Sequence, residues 1–202
     1  MKPQMRKIKP ERRARRITAF ALIFLPCLLV FLIFWQLRWV PVQSQARSSL
    51  QVSSVSFSDG GTIPSRYTCD GEDVSPALHW PHPPAGTKSF AVVMNDPDAP
   101  VEFTHWMVYN IPPGVWGLAE GASARGAMPQ GSAEGSNDFR RLGYGGPCPP
   151  PGKPHRYVIR LYALDIRLDL LPGAARKQLD AAIERHILAE GQIVAIYRRA
   201  SD

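Results

Sequence analysis

The hydrophobic residues of this chain form one long block near the N-terminus and several short blocks farther on. The long block, 17–37, holds 21 residues without a charge, about the length of a helix that crosses the ~30 Å hydrocarbon core of a bilayer. The short blocks are typical of strands, because 90–94 and 107–111 are apolar runs and 157–164 alternates. The pattern predicts a membrane anchor followed by a mostly β domain.

The weaker patterns predict the remaining elements of the domain. A first strand is expected over 52–57 and a last, short strand over 193–197. Apolar residues at helical spacing predict one helix over 174–189, stopped by Gly191. Residues 117–140, rich in Gly, Ala and Ser, are expected to be irregular. Strands with turn signals and one late helix predict an antiparallel β sandwich.

The charge of the chain is concentrated in its first 16 residues. The net charge is +7, and residues 1–16 carry all of it, since the rest has equal numbers of acidic and basic residues. The folded domain therefore has no reason to bind nucleic acid. We predict a basic cytoplasmic tail (1–16), a transmembrane anchor (17–37), a linker (38–50) and a domain (51–202).

The anchor fixes the expected location of the domain. A cationic flank stays in the cytoplasm, so the protein is expected in the cell membrane with a single pass and an extracytoplasmic, periplasmic C-terminal domain. The alternative is a cleaved signal peptide, for which Ser44-Gln45-Ala46 would be the cleavage site. The apolar run is longer than the usual core of about 7–15 residues, which favours the anchor.

Polar side chains follow or begin several predicted strands. Asp96 and Asp98 lie in a Pro-rich loop closed by Pro100, and His105 and His155 each begin a strand. Two imidazoles and two carboxylates could form an anion pocket, in which an Asp selects the protonated nitrogen of a His. The alternatives are an Asp-Pro turn whose carboxylates accept backbone N–H groups, and a histidine buried in the core.

A second group of candidates lies in the loop before His155. Gly145 and Gly146 would let backbone N–H groups approach an anion closely. The domain has two cysteines, Cys69 and Cys148, which an oxidising compartment could join, and two free thiols are the alternative.

Five segments together resemble the phosphatidylethanolamine-binding protein family, and more narrowly its bacterial Raf kinase inhibitor-like branch. In chain order they are 68–76 (TCDGEDVSP), 96–100 (DPDAP), 105–112 (HWMVYNIP), 144–152 (YGGPCPPPG) and 155–157 (HRY). Each motif is weak alone, but their common order over residues 50–198 is specific. The resemblance implies a large antiparallel β sandwich with a small pocket for phosphate-bearing groups such as a phosphoethanolamine head.

The resemblance also implies which residues line that pocket. They are Asp96, Pro100, His105, Gly146 and His155, with Asp98 and Tyr157 close by. Where eukaryotic relatives in this family have Gly, this chain has Cys148, which could direct it into a disulfide with Cys69.

Three functions compete at this point. The leading hypothesis is a membrane-tethered binding protein that takes a small phosphorylated or anionic ligand, including a phospholipid headgroup, with no cofactor and no metal. The second is an inhibitor or interaction protein acting on an extracytoplasmic enzyme through 117–140, its protein partner unknown. The third is a hydrolase that uses His and Asp. The sequence has no activated nucleophile and no nucleotide-binding fingerprint, so we expect a protein that is not an enzyme.

Overall fold

The computed structural model describes residues 48–123 and 126–200. The predicted tail, anchor and most of the linker therefore lie outside the described residues. Among the residues that are described, no helix is long and apolar enough to cross a membrane.

Strands dominate the described part of the chain, with one short α-helix and one 3₁₀ turn at Ser65–Tyr67. In chain order the elements are β1 (Ser48–Ser49), β2 (Gly61–Thr62), β3 (Leu78–His79), β4 (Ser89–Asp96), β5 (Phe103–Ile111), β6 (Gly117–Leu118), β7 (Ala133–Glu134), β8 (His155–Leu164), α1 (Arg176–Ile183) and β9 (Ile187–Tyr197). The predicted mostly β domain with one helix is confirmed.

Seven of the described strands form one sheet in the order β1-β9-β8-β4-β5-β7, and β2 also pairs with β9. The central strands β9, β8, β4 and β5 pair antiparallel with one another, whereas β1 and β2 run parallel to β9. The sheet is therefore mixed at this edge rather than purely antiparallel as predicted. Strands β3 and β6 form a separate two-stranded sheet.

Both faces of the large sheet are buried because its strands alternate two sets of apolar side chains. One set, which includes Met94 and Ile159, packs in a cluster with Leu78 and Leu118 of the small sheet. The other set, which includes Val93, packs in a cluster with residues of α1. Burial on both sides explains why β4 reads as a continuous apolar run.

The predicted helix over 174–189 is too long. Leu179 and Ile183 are buried at i, i+4 spacing, but the next apolar residue of that series, Ile187, begins β9 and pairs with Leu164. Gly191 lies inside β9 and does not cap a helix. A Cβ at Gly191 would collide with the carbonyl oxygen of Leu50, so this glycine permits the close approach of two backbones.

The predicted first strand over 52–57 is also wrong. Only Ser53 of this segment makes a ladder contact, an isolated bridge with His79. The hydroxyl of Ser54 accepts the N–H of Ser56 at 3.0 Å, and such local side-chain bonds compete with strand pairing. Val55 is 95% exposed, so the apolar residue at this position does not indicate a buried strand.

Candidate functional site

Three neighbouring strands bring the predicted site residues to one end of the large sheet. Asn95 of β4 pairs with Val158 of β8, which sets the following Asp96 beside Tyr157. Asn95 also pairs with Thr104 of β5, next to His105. The order β8-β4-β5 therefore unites residues that lie about 60 positions apart in the chain.

A β-bulge in β5 turns His105 toward the same face as Tyr157. Met94 pairs with Trp106 and the next residue, Asn95, pairs with Thr104, so His105 is an extra residue in its strand. A bulge of this kind redirects a side chain that regular alternation would send to the opposite face. The His105 ring consequently meets the Tyr157 ring edge-on, with centroids 5.1 Å apart.

The Asp96 carboxylate holds both its own loop and the ring of His155. Its Oδ1 accepts the backbone N–H groups of Asp98 at 2.8 Å and Ala99 at 3.1 Å. Its Oδ2 accepts the Nδ1–H of His155 at 2.7 Å. The Asp96 and His155 side chains are only 5% and 15% exposed. The carboxylate thus fixes the imidazole tautomer, and in the neutral ring Nε2 is an acceptor.

His105 is held in the same tautomer by a backbone group. Its Nδ1–H donates to the carbonyl oxygen of Gly145 at 2.7 Å, since a carbonyl can only accept. Burial lowers the pKa of His105, against the opposing effects of the carbonyls of Gly145 and Gly146 and the carboxylates of Asp96 and Asp138. The ring is therefore neutral near pH 7, with Nε2 as an acceptor.

The loop that contains Gly145 and Gly146 forms one wall of the site, but it does not offer a ligand the backbone N–H donors that the sequence predicts. The N–H of Gly145 donates to the carbonyl of His105 at 3.0 Å, and that of Gly146 donates to Oδ1 of Asp73 at 2.6 Å. A Cβ at Gly146 would stand 2.5 Å from the carbonyl oxygen of Tyr67. Gly146 therefore lets segment 67–73 pack against this loop, and both N–H groups are already paired.

A disulfide joins the same two segments. Cys69 and Cys148 are bonded, with their Cα atoms 5.4 Å apart. The N–H of Cys69 also donates to the carbonyl of Pro147 at 3.1 Å. Both cysteines are exposed. The pairing that the sequence left open is thus present, two residues beyond Gly146.

Asp98 and Pro100 lie at the rim. Asp98 accepts Nε and Nη2 of Arg156 at 2.9 and 2.7 Å, together with the Arg156 backbone N–H at 2.8 Å. These hydrogen bonds to Arg156 lower the pKa of Asp98 to about 2. Pro100 is exposed in the loop between β4 and β5. Asp98 therefore anchors β8 to this loop and is already paired with a cation.

Tyr157 has an unpaired hydroxyl at the centre of the site. Its side chain is fully buried, and no atom of the described residues makes a hydrogen bond with its Oη. Burial raises its pKa, as does the nearby carboxylate of Asp96, so the group stays protonated. Buried polar groups without a partner are uncommon in folded proteins, and the carboxylate of Asp96 is the acceptor that acts on this hydroxyl from nearby.

Sequence reasoning missed four residues that build the site. Arg156 pairs with Asp98, Asp73 accepts from Gly146, and the rings of Phe103 and Phe139 contact His105. Phe103 precedes His105 by two residues, so alternation along β5 could have indicated it. Phe139 lies in a segment without periodicity, and no local pattern predicts its contact.

The described domain is similar in sequence to proteins of one family. A family model described as phosphatidylethanolamine-binding protein matches residues 53–198. The chain is 50% identical over 151 residues to a UPF0098 protein of Methanothermobacter thermautotrophicus, covering 74% of this chain and 99% of the relative. It is 38% identical over 157 residues to the UPF0098 protein YbhB of Escherichia coli, covering 73% and 99%.

Solved structures of similar proteins share the fold. YbcL of Escherichia coli, described as a new member of the mammalian PEBP family, superposes with a TM-score of 0.71 at 34% identity, covering 75% of this chain and 99% of YbcL. CT736 of Chlamydia trachomatis, described as a homologue of the phosphatidylethanolamine-binding protein, gives 0.69 at 35% identity, with 75% and 99% covered.

Proposed function

Because the chain belongs to the phosphatidylethanolamine-binding protein family, we propose that it is a binding protein that takes a small anion, preferably a phosphate group, at this end of the sheet. Asp96, His105, His155 and Tyr157 form the ligand site in this proposal. Gly146 and the disulfide support its wall, and Asp98 and Pro100 shape its rim.

The observation that carries the proposal is the unpaired hydroxyl of Tyr157. A buried O–H group that lacks a partner among the described residues loses the energy of a hydrogen bond, and a hydrogen bond to a charged group is worth about 1.5–3 kcal/mol. A phosphate oxygen is an acceptor that would restore it, and because Oη is buried, binding in this proposal requires the side chains around Tyr157 to move aside. The histidines would act through Nε2, because both Nδ1–H groups are used inside the protein.

The tautomers of the two histidines restrict the form of the anion. In its neutral form each ring presents an acceptor at Nε2, which repels a fully ionised oxygen. A hydrogen phosphate can turn its own O–H toward such a nitrogen, or the ring can take up a proton as the anion binds. Binding in this proposal therefore involves a proton, which is carried either by the anion or by the ring.

We further propose tethering to the membrane and a location outside the cytoplasm, supported by the uncharged run 17–37 and the basic residues before it.

We propose that the protein binds its ligand without catalysing a reaction, because the reactive side chains of the site are already engaged. Both cysteines of the domain are in the disulfide, so neither supplies a thiolate nucleophile. Asp96 accepts three hydrogen bonds, two from backbone N–H groups and one from His155. A carboxylate engaged in this way positions its neighbours and is a poor general base for a substrate proton.

The test is calorimetric titration of the full-length protein with inorganic phosphate in a phosphate-free detergent. Tyr157→Phe removes one oxygen and keeps the ring that packs on His105. We expect the affinity to fall about tenfold or more, the loss of one hydrogen bond to a charged group. Tyr162→Phe, the same change on the same strand, is the control and should bind as the wild type does. The proposal fails if phosphate does not bind, or if Tyr157→Phe binds it unchanged.

A further inference from the structure

Two phenylalanine rings stand beside the proposed anion site. The centroid of Phe103 lies 5.1 Å from that of His105, and the centroid of Phe139 lies 5.3 Å from it. The two phenyl rings also contact each other edge-on, at 4.7 Å. Together with Tyr157 they surround the imidazole, so any group bound at His105 Nε2 comes close to aromatic carbon.

The two phenyl rings are not part of the hydrophobic core. Both are partly exposed, and neither belongs to the two buried clusters of the described residues. Partly exposed aromatic rings beside a few convergent polar groups are typical of ligand sites.

The carboxylates around the site already have partners within the protein. Asp98 is paired with Arg156, and Asp96 accepts the Nδ1–H of His155. Asp73 accepts from Gly146 and lies 3.5 Å from a guanidinium nitrogen of Arg141.

The guanidinium of Arg141 stands beside the phenyl rings, with its Cζ 5.2 Å from the centroid of Phe139. Asp138 precedes Phe139 in the chain and accepts the N–H of Thr104 at 2.6 Å. An ammonium group placed there would be repelled by Arg141 and attracted by Asp138, so the two charges offset each other, whereas a hydrocarbon group would meet the rings alone.

We propose that Phe103 and Phe139 contact the substituent of the bound anion. The site then selects phosphate monoesters of an apolar or aromatic alcohol over inorganic phosphate and over phosphoethanolamine. This inference rests on the proposed function, because it requires the phosphate group to bind beside His105 and Tyr157. In this inference Phe103 and Phe139 determine specificity for the substituent and do not contact the anion itself.

The experiment compares three ligands on the full-length protein by calorimetry: phenyl phosphate, inorganic phosphate and phosphoethanolamine. A favourable contact with an aromatic ring contributes about 0.5–1.5 kcal/mol. We therefore expect phenyl phosphate to bind about three- to tenfold more tightly than inorganic phosphate, and phosphoethanolamine to bind no more tightly than inorganic phosphate.

Phe139→Ala should bring the affinity ratio of phenyl phosphate to inorganic phosphate close to one. Phe103→Ala serves as the second variant, and a melting curve for each shows that it folds. Trp116→Ala removes another exposed aromatic ring, 51% exposed, from a position next to β6, and it should keep the wild-type ratio.

The outcomes separate this inference from the proposed function. Equal affinities for phosphate and phenyl phosphate, or an unchanged ratio in both Phe variants, would overturn the role of the rings and leave the anion site standing. Tighter binding of phosphoethanolamine would also overturn it, in favour of an ammonium contact. Binding of phenyl phosphate that Tyr157→Phe does not weaken would show adsorption to the rings alone, and no binding of any of the three ligands would overturn both proposals.

Discussion

Removal of the disulfide tests how firmly the wall of the site is held. We consider the double variant Cys69→Ser, Cys148→Ser, in which two exposed sulfur atoms are replaced by hydroxyl groups and the core is untouched. The bond closes a loop with a sequence separation of 79 residues. Its main effect is on the unfolded chain, which loses the conformations in which the two ends are apart.

The expected destabilisation follows from the length of that loop. A loop of this size restricts the unfolded chain by about 4.5 kcal/mol on the chain-entropy model. For a domain of this size each kcal/mol lowers Tm by about 2–4 °C, so Tm should fall by roughly 9–18 °C. Segment 67–73 keeps its hydrogen bonds to the Gly-rich loop, including Gly146 to Asp73. We therefore expect the fold to persist with lower stability.

The assay is urea unfolding of the full-length wild type and the double variant, each with and without a phosphine reductant. The reductant should lower the free energy of unfolding of the wild type and leave that of the variant unchanged. Cys27→Ser, which removes the remaining cysteine, is the control and should respond to reductant as the wild type does. A double variant within about 1 kcal/mol of the wild type would refute the reasoning, because native loop geometry would then offset the entropy of closure.

Three further predictions concern single residues of the site. Gly146→Ala should destabilise the domain by about 1–3 kcal/mol in urea unfolding, since its Cβ meets backbone at 2.5 Å, while Gly114→Ala, with nothing within 4 Å, should change little. Asp98 has a pKa of about 2, lowered from 3.8 by Arg156, so its contribution is present above pH 4 and lost as the pH falls toward 2. Asp98→Asn should therefore be less stable than the wild type at pH 6 by no more than about 1 kcal/mol in this solvent-screened position. This difference should shrink as the pH falls from 4 through 2; a difference that is as large at pH 2 as at pH 6 would contradict this. Burial lowers the pKa of His105, so phosphate binding at pH 7 should involve either proton uptake by the protein or selection of the monoprotonated anion. Proton uptake would appear as a binding heat that varies with the buffer, and selection of the monoprotonated anion as tighter binding at lower pH. Binding that is independent of both pH and buffer would contradict this prediction.

The long strands could be predicted from the sequence because their patterns report burial directly. β4 is buried along its whole length, so its apolar run admits one interpretation. The series Leu179, Ile183, Ile187 fits a helix at every step, and only the pairing of Ile187 with Leu164 ends it. Local periodicity cannot report a long-range pairing of this kind, and for that reason the helix was predicted too long.

The site was predictable in its residue types and not in its geometry. Strand ends and Pro-rich loops pointed to Asp96, His105 and His155. The face on which His105 lies depends on one extra residue in β5, which regular alternation does not show. The contacts of Phe139 and Asp73 come from irregular segments, where side-chain position follows from tertiary packing alone.

The hydrogen bonds that the polar groups of the site already make determine which atoms remain for a ligand. Asp96 and Asp98, which as isolated residues suggest acid–base catalysis or an ammonium contact, have their oxygens occupied by backbone N–H groups, His155 and Arg156. They give the site its shape, and because their partners lie on β8 and on the loop after β4, they do so by joining separate parts of the chain. In the proposed function, the groups left for a ligand are the hydroxyl of Tyr157 and the Nε2 atoms of the two imidazoles, each of which is held through its Nδ1. A donor beside the neutral ring of His105 matches an anion that still bears a proton, and we propose that this set serves recognition and not bond cleavage.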